Sequence, residues 1–341
     1  MLCFFIFYHS TETGLMPYKW WNQDPIGIEE VSCKSLLHPF TAHHSECPNR
    51  LVINPYTGCQ HRCLYCYGTY FFFPNFFNNI QIKTNAPIIL EKEIIKYKKS
   101  HELFPPVYIS PATDSYQPIE RRYHLTRQCV EILQQHHIPY YIMSKADAML
   151  DDLDLHAHYR DHCMGIWTIT SLDEARRKKF EPFATSIKRR LEALEQFSAE
   201  GIPTAFRIDP ILPYVDDSPD QLEALISTCA ELGAFHFTTS ILKLRWEIWT
   251  RIEAFFQDRG KDTLLNQYKD LFFTPKYQRG SYYYPKSEYR QTLLTILQRI
   301  AHKYKLSFGT CLEGMPQFNT GPCDGVHLAP LKLKSPQQKF K

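Results

Sequence analysis

Three cysteines in one short stretch, GCQHRCLYCY at 58–67, are the side chains of this sequence best suited to chemistry. Cys59, Cys63 and Cys66 are spaced CxxxCxxC, and Tyr65 stands directly before the last of them. Thiolates are soft, charged donors, and proteins use them to bind iron or zinc. The spacing therefore predicts a metal site that is built from a single loop.

The number of ligands distinguishes the two metals. Structural zinc takes four protein ligands, usually from two paired arms, whereas this loop has three cysteines and no partner arm. Cys47 or His61 could complete the set, although His61 would have to fold inwards between two ligands. A zinc-binding interaction module is therefore the alternative. Three thiolates can instead hold three corners of a 4Fe–4S cube and leave the fourth iron open to an outside ligand.

The bulk composition favours a folded protein in a reducing compartment. Of 341 residues, 44% are hydrophobic, which is ample for a buried core. The net charge of +3 permits an anionic partner without demanding one. Eleven cysteines, an odd number with no secretory signal, favour a cytoplasmic location over a disulfide framework. The apolar start MLCFFIFY is too short to span a bilayer, so no membrane segment is predicted, and Met16 is an equally good start site.

Apolar runs with strand and helix periodicity alternate along the middle of the chain. The predicted strands are 50–54, 106–110, 139–144, 164–170, 204–212 and 235–242. The predicted helices between them are 86–100, 125–137, 151–162, 186–201 and 218–233. Residues 17–50 contain four prolines and are predicted to be irregular. After residue 243 the pattern is helical at 244–272 and 286–304, with a last strand at 305–310.

Strands that alternate with helices in this way predict parallel βαβ units. We therefore expect an α/β fold, a partial (β/α)6 TIM-like barrel with a helical C-terminal extension. The expected division is an irregular N-terminal extension at 1–49, a core domain at 50–243, and a C-terminal extension at 244–341 with the final strand and a cysteine-containing tail. The cysteine loop follows the first core strand, at the edge where such sheets place their active sites.

In this setting the loop resembles the signature of radical S-adenosylmethionine (SAM) enzymes, here Cys59-Gln-His-Arg-Cys63-Leu-Tyr65-Cys66. The resemblance implies that the three cysteines hold a 4Fe–4S cluster and that the amino and carboxylate groups of SAM bind the fourth iron. The reduced cluster would cleave SAM to a 5′-deoxyadenosyl radical, with Tyr65 packed near the adenine. A flavodoxin- or ferredoxin-like protein would supply the electron.

Three stretches are similar to the subgroup around spore photoproduct lyase: INPYTGCQHRCLYCYG, residues 109–133 and residues 167–213. One position departs from the lyase. There a cysteine three positions before the aspartate of the second motif donates a hydrogen atom to the product radical, and here Pro111 stands three positions before Asp114. The lyase's repair reaction is therefore not carried over. Nucleic acid is the first substrate class by resemblance alone, and nucleotides, peptides and small metabolites stay open.

The same resemblance implies contacts to SAM from Lys145 after the third strand and from Thr170 and Ser171 at the end of the fourth. Hydroxyl and ammonium donors at strand ends can hold a carboxylate or a sugar hydroxyl. Capping or surface roles are the alternatives, because Ser171 precedes a helical stretch. Arg207 on the fifth strand could contact a cofactor or substrate, or form an ion pair with Asp209 or Glu174.

Other residues support several interpretations. Cys311 and Cys323 could be hydrogen-atom donors, ligands of an auxiliary cluster, a redox disulfide or unrelated loop cysteines. Cys129 and Cys163 are expected to be small buried residues. The aromatic runs at 70–77 and 282–284 could stack on bases or pack in the interior.

Overall fold

The computed structural model of the protein describes residues 26–40, 50–70 and 76–328. Cys47, most of the aromatic run at 70–77 and the basic C-terminal end lie outside these ranges. The strands within them are β1 (Gly27–Val31), β2 (His38–Phe40), β3 (Arg50–Ile53), β4 (Tyr56–Thr57), β5 (Asn79–Lys83), β6 (Val107–Ile109), β7 (Tyr140–Ser144), β8 (Cys163–Thr168), β9 (Thr204–Ile211), β10 (His236–Ile241), β11 (Gln278–Arg279), β12 (Tyr282–Tyr283) and β13 (Ser307–Thr310).

The helices alternate with the strands through most of the chain. They are α1 (Ala86–Lys98), α2 (Glu120–Tyr123), α3 (Leu125–Gln135), α4 (Leu153–His158), α5 (Glu174–Phe180), α6 (Ile187–Ala199), α7 (Pro219–Glu231), α8 (Trp246–Gln257), α9 (Asp262–Phe272) and α10 (Ser287–Lys303). None of the helices in the described ranges combines the length and the apolar character needed to cross a bilayer.

The main sheet contains eight strands in the order β13-β10-β9-β8-β7-β6-β3-β2. Every neighbouring pair is parallel except β2 with β3. Since crossover helices join the parallel strands, the carboxyl ends of these strands all meet at one edge. The predicted α/β class and partial TIM-like barrel are confirmed, and β13 adds a seventh parallel strand beside β10.

Alternate side chains of the strands serve two cores. On β7, Tyr140 and Ile142 pack in the large core under the helices, whereas Tyr141 faces the other side of the sheet with Tyr108 of β6. The rings of Tyr108 and Tyr141 are stacked with centroids 4.6 Å apart. This alternation with period two is what a sheet with both faces covered requires.

The prediction that residues 17–50 are irregular was wrong for part of that segment. β1 pairs parallel with β5, and β2 pairs antiparallel with β3. Both strands are largely exposed, so they lack the apolar alternation by which a strand is found in a sequence. A small second sheet, β1-β5-β4, forms beside the cysteine loop.

The C-terminal extension packs directly on the cysteine loop. Cys63, Leu64 and Tyr65 share one hydrophobic cluster with Ile248, Trp249, Ile252, Phe255 and Phe256 of α8 and with residues of α9. Helix α8 is strongly amphipathic, and its apolar side faces this cluster. The extension therefore forms one wall around the loop.

Candidate metal and cofactor site

The three motif cysteines line one cavity at the carboxyl edge of the main sheet. Tyr65 and Lys145 line the same cavity. Including its open mouth, the cavity encloses about 620 Å³ of space free of protein atoms. The remaining lining residues are His61, Tyr67, Gly68, Phe76, Pro111, Ala112, Thr113, Asp114, Met143, Ser144, Thr168, Asp209 and Pro210.

Backbone hydrogen bonds hold the cysteine loop from several sides. The Cys59 amide donates to the Phe76 carbonyl over 3.1 Å, and the Leu64 amide donates to the Phe180 carbonyl over 2.9 Å. Gly58, with a φ of +84°, begins the loop. A Cβ there would lie 2.5 Å from the backbone oxygen of Asn79, so only glycine fits. The loop is therefore ordered by the protein itself.

The three sulfur atoms lie in an environment that keeps free thiols protonated. All cysteines in the described ranges are free. Burial raises the pKa of Cys59, Cys63 and Cys66. Positive charge opposes this effect, since Lys145 lowers the pKa of Cys63 and Arg251 lowers that of Cys66. A metal bound here must displace protons from the thiols, and buried thiolates without solvent are the ligands that iron–sulfur clusters use.

A single metal ion needs its donor side chains grouped around one centre. Among the described residues, no three His, Cys, Asp or Glu side chains are close enough to hold one metal ion. A tetrahedral zinc ion needs its sulfur ligands about 2.3 Å from one centre, whereas a 4Fe–4S cube distributes its thiolates over separate irons.

A buried ionic network surrounds the hydroxyl group of Tyr65. Tyr65 donates a short hydrogen bond to Glu181, which is fully buried. Arg190 lies 2.6 Å from the same carboxylate, and Arg176 lies 3.7 Å from it. Burial alone would raise the pKa of Glu181, but the charges of Arg190, Lys145 and Arg176 together outweigh it and hold this pKa well below its usual range. Glu181 thus stays ionised and fixes the tyrosine of the motif.

Thr170 belongs to this network and does not line the cavity. Its hydroxyl donates to Glu181 over 3.0 Å and accepts from Arg176 over 2.6 Å. The neighbouring strand residue Thr168 lines the cavity instead. Ser171 accepts a hydrogen bond from the Asp173 amide over 3.0 Å, at the start of α5, and also lies outside the lining. The structure therefore brings Tyr65 and Lys145 together with the cysteines in the lining of one cavity. It leaves Thr170 and Ser171 outside that lining.

Asp114 is a second buried carboxylate beside the cysteines, and it accepts several hydrogen bonds. It accepts hydrogen bonds from the Ser144 hydroxyl and the Lys145 amide, each over 2.8 Å. His61 folds inwards, and its Nδ1 lies 3.3 Å from Asp114. Burial opposes ionisation, but His61 and the hydrogen bonds prevail and lower the pKa of Asp114 to about 2. Asp114 thereby holds the backbone from which Lys145 projects.

Two of the open alternatives have structural answers. Arg207 forms an ion pair with Asp209, one of the two partners that the sequence offered, and Asp209 lines the cavity. Cys129 and Cys163 are buried in the main core, as expected.

Neither of the two C-terminal cysteines lines this cavity. Cys311 follows β13 and is half-buried. Cys323 is buried, with its sulfur 3.9 Å from Arg50 on β3. The adjacent Asp324 forms an ion pair with Arg50 at 2.7 Å and accepts from Tyr141. The tail thus joins strands on the inner face of the sheet, and the chemical role of its cysteines stays a prediction.

Sequence reasoning missed two residues that shape the site. Glu181 lies in a turn whose sequence marks only a chain reversal, and nothing in that turn indicates a contact with Tyr65. Arg251 is on α8, 185 positions after Cys66, yet its guanidinium reaches the cysteine loop. No local pattern could have revealed either contact, because both depend on how distant elements pack.

The chain matches no protein-family model. It is 30% identical over 197 residues to the uncharacterized protein MJ0683 of Methanocaldococcus jannaschii, covering 56% of this chain and 70% of that protein. It is 28% identical over 294 residues to the uncharacterized protein Rv2578c of Mycobacterium tuberculosis, covering 83% of each chain.

Among solved structures, the chain is similar to spore photoproduct lyase. A mutant of that enzyme with bound AdoMet and dinucleoside spore photoproduct superposes with a TM-score of 0.65 at 16% identity, over 83% of this chain and 81% of the other. At this identity the likeness shows the fold. The resemblance predicted from the three sequence stretches is therefore confirmed by an independent comparison of structures.

Proposed function

The chain belongs to the same family as the archaeal protein MJ0683 and has the fold of spore photoproduct lyase, and from this premise we propose that it is a radical SAM enzyme. Cys59, Cys63 and Cys66 would hold a 4Fe–4S cluster, and SAM would occupy the rest of the cavity. When bound, the cluster would supply one electron to SAM, and cleavage of a carbon–sulfur bond would give methionine and a 5′-deoxyadenosyl radical.

One observation carries the proposal: three cysteines of a single loop face one cavity at the carboxyl edge of the sheet, together with an anchored aromatic ring and a lysine. Lys145 brings its ammonium group within 5.8 Å of the Tyr65 ring centre, so both sit on the same side of the cavity. An ammonium donor can hold the carboxylate of SAM, and the ring offers an apolar face to the adenine.

The surrounding residues have supporting tasks. Glu181 keeps the ring of Tyr65 in place, and Asp114 fixes the backbone at Lys145. The hydrophobic cluster of α8 and α9 excludes water from one side of the cysteines. Such exclusion protects a reactive radical from solvent. Thr170 and Ser171, predicted as SAM contacts, lie outside the cavity lining, so their effect on SAM binding would be indirect.

We propose nucleic acid as the first substrate class to test, because the similar lyase was solved with a dinucleoside photoproduct. Pro111 lines the cavity, and its carbonyl accepts a hydrogen bond from Tyr67. Proline has no thiol hydrogen to donate, so the product radical must be quenched differently from that in the lyase. A net charge of +3 predicts weak duplex affinity with a shallow salt dependence. A flavodoxin- or ferredoxin-like protein is the proposed electron donor.

The direct test is reductive cleavage of SAM. Protein reconstituted anaerobically with iron and sulfide should release 5′-deoxyadenosine from SAM only when dithionite is added. Cys63→Ala should abolish the release, whereas Cys129→Ala, which alters a buried thiol on α3, should retain it. Cleavage that persists in Cys63→Ala would show that the loop is not the reaction centre.

A further inference from the structure

Arg251 connects the C-terminal extension to the metal-binding loop. It lies in the middle of α8 and is 6% exposed. Its Nε donates to the Leu64 carbonyl over 2.9 Å, and its Nη2 donates to the Cys66 carbonyl over 3.0 Å. Because the guanidinium is a rigid planar group, these two bonds fix the peptide group before Tyr65 and the peptide group after Cys66.

A third bond extends the contact to the turn that follows the cysteines. Nη1 of Arg251 donates to the Thr69 hydroxyl over 3.2 Å, and that hydroxyl donates to the Cys66 carbonyl over 3.0 Å. Burial raises the pKa of Cys66, while Arg251 and the nearby backbone amides of Gly68 and Thr69 lower it. Arg251 therefore holds both the Cys66 carbonyl and the turn that follows it.

The contact also places a permanent positive charge in a buried position beside the cysteine loop. Arginine stays protonated in proteins, and the side chain is covered by the hydrophobic cluster of α8 and by Phe77, whose ring centre lies 5.5 Å from the guanidinium carbon. Charges and hydrogen bonds near the sulfurs set the reduction potential of an iron–sulfur cluster. Reduction adds one negative charge, so a nearby cation favours the reduced state.

We propose that Arg251 is a positioning residue that makes the cluster easier to reduce, an inference that rests on the proposed function. The extension thus does more than cover the loop, because it supplies the cation that stabilises the added electron at the Cys66 side. The electron comes from the external donor, and Arg251 itself is neither oxidised nor reduced.

The test is the reduction potential of the reconstituted cluster, followed by its absorbance during an anaerobic redox titration. Arg251→Gln removes the charge, and we expect its reduction equilibrium constant to fall about tenfold, a shift of about 59 mV to more negative potential for a one-electron couple. Arg259→Gln is the matched control, since it removes the same charge two residues after the end of α8. That control should keep the potential of the original protein.

The outcomes separate this inference from the proposed function. An iron-loaded Arg251→Gln protein with unchanged potential overturns the role of Arg251. If Arg251→Gln fails to retain iron, Arg251→Lys, which keeps the charge, is the deciding variant. A reduction equilibrium constant of Arg251→Lys within about threefold of that of the original protein supports the proposal. A tenfold fall in this constant, or an Arg251→Lys protein that binds no iron, overturns it. An unsubstituted protein that binds no iron overturns the proposed function and this inference together.

Discussion

The hydroxyl of Tyr65 donates a hydrogen bond to Glu181, which stands 116 positions later in the chain. The contact joins the cysteine loop after β3 to the turn after α5, and two arginines balance the carboxylate. A hydrogen bond at the hydroxyl fixes the direction in which the Tyr65 side chain points. The aromatic position of the motif is therefore fixed before any cofactor binds.

Replacing Glu181 tests the importance of this network. Glu181→Gln leaves the charges of Arg176 and Arg190 partly unbalanced in the interior, and we expect the free energy of unfolding to fall by about 3 kcal/mol. Urea denaturation of the cluster-free protein measures the change. Glu195→Gln on the exposed side of α6 is the control and should alter stability by less than about 0.5 kcal/mol. Equal stabilities of the two variants would mean that the network does not hold the fold.

Asp114 predicts a pH dependence with a definite sign. Its pKa is lowered from 3.8 to about 2 in the folded protein, so the carboxylate stabilises the fold above pH 3.8 and loses this contribution as the pH falls toward 2. The contribution at neutral pH is about 2 kcal/mol. The difference in unfolding free energy between the original protein and Asp114→Asn should therefore shrink from pH 5 to pH 2. A difference that stays constant would contradict the assignment.

Lys145 should matter for cofactor binding more than for stability. A charge-assisted hydrogen bond contributes about 1.5–3 kcal/mol, so Lys145→Met should raise the Kd of SAM at least tenfold. Equilibrium dialysis of the iron-loaded protein measures this Kd. Lys188→Met, at an 86% exposed side chain of α6, is the control for loss of a lysine and should bind SAM normally. If both variants bind equally well, Lys145 is not a SAM contact.

Substitutions at Thr170 and Ser171 can distinguish a direct contact with SAM from an indirect effect on the site. Thr170→Val removes the hydroxyl that links Glu181 to Arg176, and we expect a loss of about 1–3 kcal/mol in unfolding free energy. Ser171→Ala removes only an exposed bond at the start of α5. We expect it to change both the stability and the Kd of SAM little. A large effect of Ser171→Ala on SAM binding would instead support its direct contact.

The sequence was sufficient for the parts of the fold that depend on local patterns. The six core strands and the helices α1, α3, α6 and α7 follow from apolar periodicity, and the motif cysteines follow from spacing. The short helices α2 and α5 were not predicted, and the predicted helix 151–162 is α-helical only at Leu153–His158. The strands β1 and β2 were missed because exposed edge strands have no apolar alternation. The partners of Tyr65, Asp114 and Cys66 were missed because a hydrogen bond between distant segments leaves no mark in either segment.

The most direct measurement is the metal content and absorption spectrum of protein purified and reconstituted without oxygen. Three thiolates on one loop that hold an iron–sulfur cube predict a brown protein with about four irons per chain and a broad band that dithionite bleaches. Cys59→Ala should lose this band. A colourless protein with one zinc and no iron, or a spectrum that the cysteine substitution leaves unchanged, would contradict the proposed metal centre.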